Sequence, residues 1–172
     1  MFFEKWLNLD NDRKAIYFLG LSEKSFLKLV TSPHADFIRE SLNTCWTWIK
    51  QRTPHPSDFY HYLEDEEDKD SLVMLMQDDE DNDILLSSWI CVATSVAFTL
   101  YIASEYHHEI LPQTADCSEY NKVFDCFYNN FSNLFGEQLA GNIEGKMLSL
   151  LEDGDARVFD KKYVITSLGI MQ

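Results

Sequence analysis

Along most of this chain apolar residues recur at intervals of three and four, the period of a helix with one buried face. The clearest instance starts at Ser32-Pro33, a capping residue followed by proline at the first helical position. It places Ile38, Leu42, Cys45, Trp46 and Ile49 on one face before Thr53-Pro54 ends it. A second runs from about Ser118 to Phe135, with Tyr120, Val123, Phe124, Phe127, Phe131 and Leu134 inward and Gly136 as the stop. Asp10 to Val30 reads as one helix or as two broken near Gly20-Leu21-Ser22, burying Ile16, Leu19, Phe26, Leu27 and Val30. Between Pro56 and Glu80 the pattern predicts two short helices, one burying Phe59, Tyr62 and Leu63, the other Leu72, Leu75 and Met76. Leu139 to Leu151 adds another, ended by Gly154, in which Gly141 and Gly145 suit close backbone packing. Ala156 to Gly169 is compatible with strand or helix.

Ile84 to Ser104 contains no charged residue and is long enough to span a bilayer. Six hydroxyl residues (Ser87, Ser88, Thr94, Ser95, Thr99, Ser104), acidic flanks and the lack of an orienting Lys/Arg cluster argue against membrane insertion. A helix apolar all round is otherwise the buried centre of a bundle. The expected fold is therefore all-α: one multi-helix domain over residues 1–172, built around a central apolar helix at about 84–106. No repeat and no linker rich in Gly, Ser or Pro divides the 172 residues. A chain of this length buries about 70% of its unfolded surface, enough for a core without disulfide or metal.

Composition narrows the function. With 45% apolar and 14% aromatic residues the chain is not disordered, and a net charge of -15 excludes gripping a phosphate backbone, so no direct nucleic-acid binding is expected. Cys45, Cys91, Cys117 and Cys126 fall in no metal-ligand spacing and read as reduced core thiols. The acidic, Trp-containing N-terminus is unlike a secretory signal, which points to the cytoplasm. No Gly-rich phosphate loop, HExxH or GxSxG is present. Glu105 with His108, and Asp58 with His61, form ExxH and DxxH pairs that define the alternative reading, a metal-dependent helical-bundle enzyme. That chemistry needs further carboxylates projecting inward, which the apolar faces do not supply. Near Pro112, His107 and His108 suit the C-terminal end of the central helix. Asp79, Asp81 and Asp83 fail as a calcium loop, lacking its glycine and having Ile90 where the bidentate Glu should stand. The expectation is a protein without enzymatic activity, cofactor or metal.

What remains is an uneven charge. Asp58, Glu64, Asp65, Glu66, Glu67, Asp68, Asp70, Asp78, Asp79, Glu80, Asp81 and Asp83 face a single base, Lys69, so residues 58–83 hold -11 of the -15. A solvated, solubilising surface is one reading. The other is a recognition surface, because clustered like charge opposes folding yet speeds encounter with a basic partner. These acids, with Tyr60 as an aromatic anchor beside Phe59 and Tyr62, are the candidate partner-binding residues.

Trp6-Leu7 with FLGLSEK at 18–24, ESLNTCWTW at 40–48, YLEDEED at 62–68, and the Trp89 helix with Tyr101 together resemble an all-helical immunity protein family of bacterial polymorphic toxin systems, of the contact-dependent inhibition type. The resemblance covers roughly residues 1–108. It implies a small cytosolic protein encoded beside a toxin, which protects its own cell in bacterial competition by binding the cognate toxin domain. It carries over no catalytic residue and no fixed toxin-contact residue. The acidic segment suits a basic toxin such as a nuclease.

Overall fold

The computed structural model describes residues 2–64, 70–111, 115–154 and 158–170. Among these every regular element is helical: α1 (Phe2–Leu7), α2 (Asn11–Phe26), α3 (Ala35–Gln51), α4 (Pro56–Leu63), α5 (Leu72–Leu75) running into a 3-10 turn (Met76–Asp79), α6 (Asp83–His107), α7 (Tyr120–Phe135), α8 (Glu137–Asp153) and α9 (Lys161–Ser167). Short polar side chains start several of them by satisfying amides that have no partner within the helix. Asp10 accepts from the Arg13 amide at 2.8 Å to begin α2, and the Asn82 side chain accepts from the Ile84 and Leu85 amides at 3.2 and 3.1 Å to begin α6. Asp160 does the same for α9, accepting from the Tyr163 amide at 2.8 Å, so the ambiguous final stretch is a helix over these residues.

Local chemistry moves some expected boundaries. Ser32 does not cap α3. Its hydroxyl accepts from the His34 amide at 3.2 Å within a turn, and the helix begins at Ala35. The preceding residues form successive turns, leaving Leu27 and Val30 exposed rather than inward. α2 passes through Gly20 unbroken. Glycine is needed there because a Cβ would stand 2.7 Å from Val164 Cγ1 and 2.8 Å from Met147 Cε, so its absence lets α8 and α9 close onto α2. Gly141 differs: a Cβ there would stand 3.6 Å from the Phe2 ring, an ordinary contact, so the packing of α1 on α8 does not demand glycine at that position.

α6 runs through the middle, packed by α2, α7, α4 and α3. It is the one described helix long and apolar enough to cross a membrane, with mean hydropathy 1.8, and 56% of that window is buried by its neighbours. Its hydroxyls tolerate burial by bonding back one turn: Ser88 donates to Ile84 O, Ser95 to Cys91 O and Thr99 to Ser95 O, at 2.8 to 3.0 Å. Ser22 of α2 joins them, 2.6 Å from the Ser95 hydroxyl. Where α1, α2, α6 and α7 meet, aromatic rings fill the core. Phe18 lies 5.2 Å from Trp6, 5.2 Å from Phe98 and 4.9 Å from Phe127, tilted or edge-on as ring quadrupoles favour. Cys45, Cys91 and Cys117 are buried thiols as expected, whereas Cys126 is exposed.

Two carboxylates are buried in this interior. Glu23 on α2 accepts from Arg39 Nη1 at 2.9 and 2.8 Å and from Trp46 Nε1 at 3.0 Å, with Lys161 Nζ 3.7 Å away, which ties α3 and α9 to α2. Glu144 on α8 is fully buried and neither oxygen has a hydrogen-bond partner of good geometry. Desolvation pushes its carboxyl up to about 7, only partly offset by the neighbouring Tyr17 hydroxyl.

Candidate partner-binding face

The acidic segment is laid along α6 by three short pieces of structure. α4 begins at Pro56, and the Asp58 carboxylate turns back to accept from the His55 amide at 2.8 Å, closing the first turn. Phe59 and Leu63 point into the core, so Phe59 is a packing residue and not an anchor. Tyr62 is half-buried with its ring 5.5 Å from that of Phe37, while Tyr60, also half-buried, stands on the α6 side. Ser71 then starts α5, its hydroxyl accepting from the Met74 amide at 3.3 Å. Leu72 and Leu75 are buried, and Val73 and Met74 face out.

The acids divide by duty. Asp79 is half-buried and accepts from Trp89 Nε1 at 2.8 Å, so it anchors the 3-10 turn to α6 rather than standing in solvent. Asp78 is exposed and lies 3.4 Å from His34 Nε2. Glu64, at the end of α4, is half-buried. Asp83 is exposed in the first turn of α6, where negative charge is favoured by the helix dipole. Asp70, Glu80 and Asp81 are exposed, and their side chains make no hydrogen bond or ion pair among the described residues. Asp65, Glu66, Glu67 and Asp68 lie outside the described residues. From Asp70 to Asp83 the chain carries six acids and no Lys or Arg.

The residues of the metal-enzyme alternative are employed separately. Glu105 accepts from Tyr101 at 2.9 Å and from Asn11 at 3.2 Å, Asp58 caps α4, and His108 ends α6 in the left-handed conformation at φ 57. Among the described residues no three of His, Cys, Asp and Glu converge as metal ligands.

One feature of this face escapes the acidic pattern. Tyr60, Leu63, Glu64, Val73, Ala93 and Ala97 line a groove of about 200 Å³ between α4, α5 and α6. The signal available in the sequence is the pair of alanines one turn apart on α6, which puts two small apolar residues on the same face of that helix.

These features define an all-helical protein with a strongly acidic edge along its central helix. The family model described as immunity protein Imm6 matches residues 13–134, and the chain belongs to that family, an immunity protein family of toxin systems. The match begins inside α2, so Trp6-Leu7 lies outside it, and it continues past residue 108, where the motif resemblance ends, to residue 134 in the last turn of α7. No curated protein and no solved structure matches the chain. Membership implies an immunity protein acting against a toxin.

Proposed function

We propose that the chain neutralises its cognate toxin domain in the cytoplasm of the producing cell, by covering a basic, nucleic-acid-binding surface with the edge formed by α4, α5 and the start of α6. It acts by binding, as a single helical unit without cofactor, metal or catalysis of its own. The observation that carries this reading is the concentration of charge: six acids and no Lys or Arg from residue 70 to 83, with Asp70, Glu80 and Asp81 exposed and making no hydrogen bond or ion pair among the described residues. Such a surface attracts a basic partner over a Debye length of about 8 Å in physiological salt and speeds productive encounter. A toxin that grips nucleic acid presents the complementary charge at its own substrate site.

Displacement tests it. Fluorescently labelled nucleic acid is bound to a catalytically inactivated toxin domain, and this chain is titrated in. Release of the label at stoichiometric chain supports occlusion. A ternary complex with the label still bound, or a toxin that binds no nucleic acid, contradicts it.

A further inference from the structure

On the outer side of α6, Ala93 and Ala97 stand one turn apart and half-buried, and their small side chains leave the groove of about 200 Å³ open against Tyr60, Leu63 and Val73. Its lining is mostly apolar, with Glu64 as the charged exception. Apolar surface continues outward from it, since Val73 is 36% exposed and Met74 48%. Among the described residues the charge nearest to it is negative: Glu64 stands in the wall, and Asp70 precedes Val73 by three residues, in a stretch from 70 to 83 that holds no Lys or Arg.

We propose that this groove receives one large apolar side chain, of leucine to phenylalanine size, carried on a basic segment of the toxin domain. The inference rests on the reading of the acidic edge as the toxin-facing surface, and it adds a division of labour. Exposed charges govern how fast the partners meet, whereas a desolvated apolar anchor governs how long they stay. An anchor flanked by bases matches both the shape and the sign of this site. A neutral or acidic flank would meet Glu64 and Asp70 as uncompensated charge.

The test uses the full chain and the inactivated toxin domain encoded beside it. Ala93→Phe and Ala97→Phe fill the groove from its own floor, and thermal unfolding checks that each variant folds as the parent does. The expected result is a rise in Kd of about 30-fold or more, carried by a faster off-rate with an unchanged salt dependence. Val73→Ser, at a position already partly exposed, gives a smaller loss in the same direction and keeps the test open should a ring not be tolerated. Glu80→Lys with Asp81→Lys instead slows association. Filled-groove variants with the parent's off-rate, alongside reversals that slow association, overturn the groove while the acidic edge stands as the contact. Parent-like behaviour in both sets overturns both. Self-association of the free chain that the filled variants abolish assigns the groove to a second copy and also overturns the proposal.

Discussion

The aromatic interior and the acidic edge meet on α6, and the same helix serves them by opposite rules. In the interior Trp6, Phe18, Phe98 and Phe127 are fully buried and pack ring against ring, so shape and volume decide whether the chain folds. Along the edge Asp70, Glu80, Asp81 and Asp83 are exposed, and little in the fold depends on their identity. The Trp89 to Asp79 hydrogen bond joins the regions, with a fully buried indole on one side and a half-buried carboxylate on the other. Stability therefore resides in the interior, while the exposed acids of the edge are left available for the recognition proposed above.

Breaking the interior has the largest expected effect. Trp6→Ala removes a fully buried ring that touches Phe18, Phe98 and Phe124, and should cost about 3–5 kcal/mol in urea unfolding. A loss below about 1 kcal/mol would mean that the site is not packed as described.

Glu144 gives the interior a pH dependence. Its carboxyl titrates near 7 when folded against an ordinary 4.5, so across that window the folded chain holds a proton that the unfolded chain releases. This contribution is fully present below about pH 4.5 and is lost as pH rises through 7, by roughly 2–3 kcal/mol. Glu144→Gln should remove that slope and be more stable than the parent above pH 7. Parallel stability curves for the two proteins from pH 4.5 to 8 would contradict the burial of this carboxylate.

The junction comes next. Asp79→Ala leaves the Trp89 Nε1 donor unpaired and should cost about 1–2 kcal/mol, while Asp79→Asn, which keeps an acceptor, costs less. Equal and negligible losses would return Asp79 to the solvated set.

Much of this division is readable in the sequence. The period of Phe124, Phe127, Phe131 and Leu134, and the uncharged run of α6, fix helices and their inward faces because hydrophobic spacing is a local signal. What escapes it depends on partners distant in the chain. Leu27 and Val30 continue the helical spacing of α2, yet the chain leaves that helix in a series of turns closed by backbone hydrogen bonds, among them Leu29 N–H to Phe26 O and Ser32 N–H to Leu29 O, and both side chains are exposed. Glu144 occupies an inward position of α8 between Ile143 and Met147, and only the packed structure shows that position to be closed to water. Asp79 looks like any other acid of its run until the Trp89 indole reaches it. The groove needs α4, α5 and α6 to be assembled before its alanines have an opposite wall.

The smallest expected effect on stability belongs to the edge, and it carries the central claim. Glu80→Lys with Asp81→Lys should change unfolding by no more than about 0.5 kcal/mol, because both side chains are exposed and neither has a partner among the described residues. The decisive measurement is the stopped-flow association rate of this double variant and the parent with the inactivated toxin domain, from low to high salt. The parent rate should fall steeply with salt, and the variant rate should be slower at low salt and nearly flat, the two converging as screening becomes complete. Superimposable curves for the two proteins would contradict the central claim, and would leave the acidic edge as a solubilising surface with the toxin bound elsewhere.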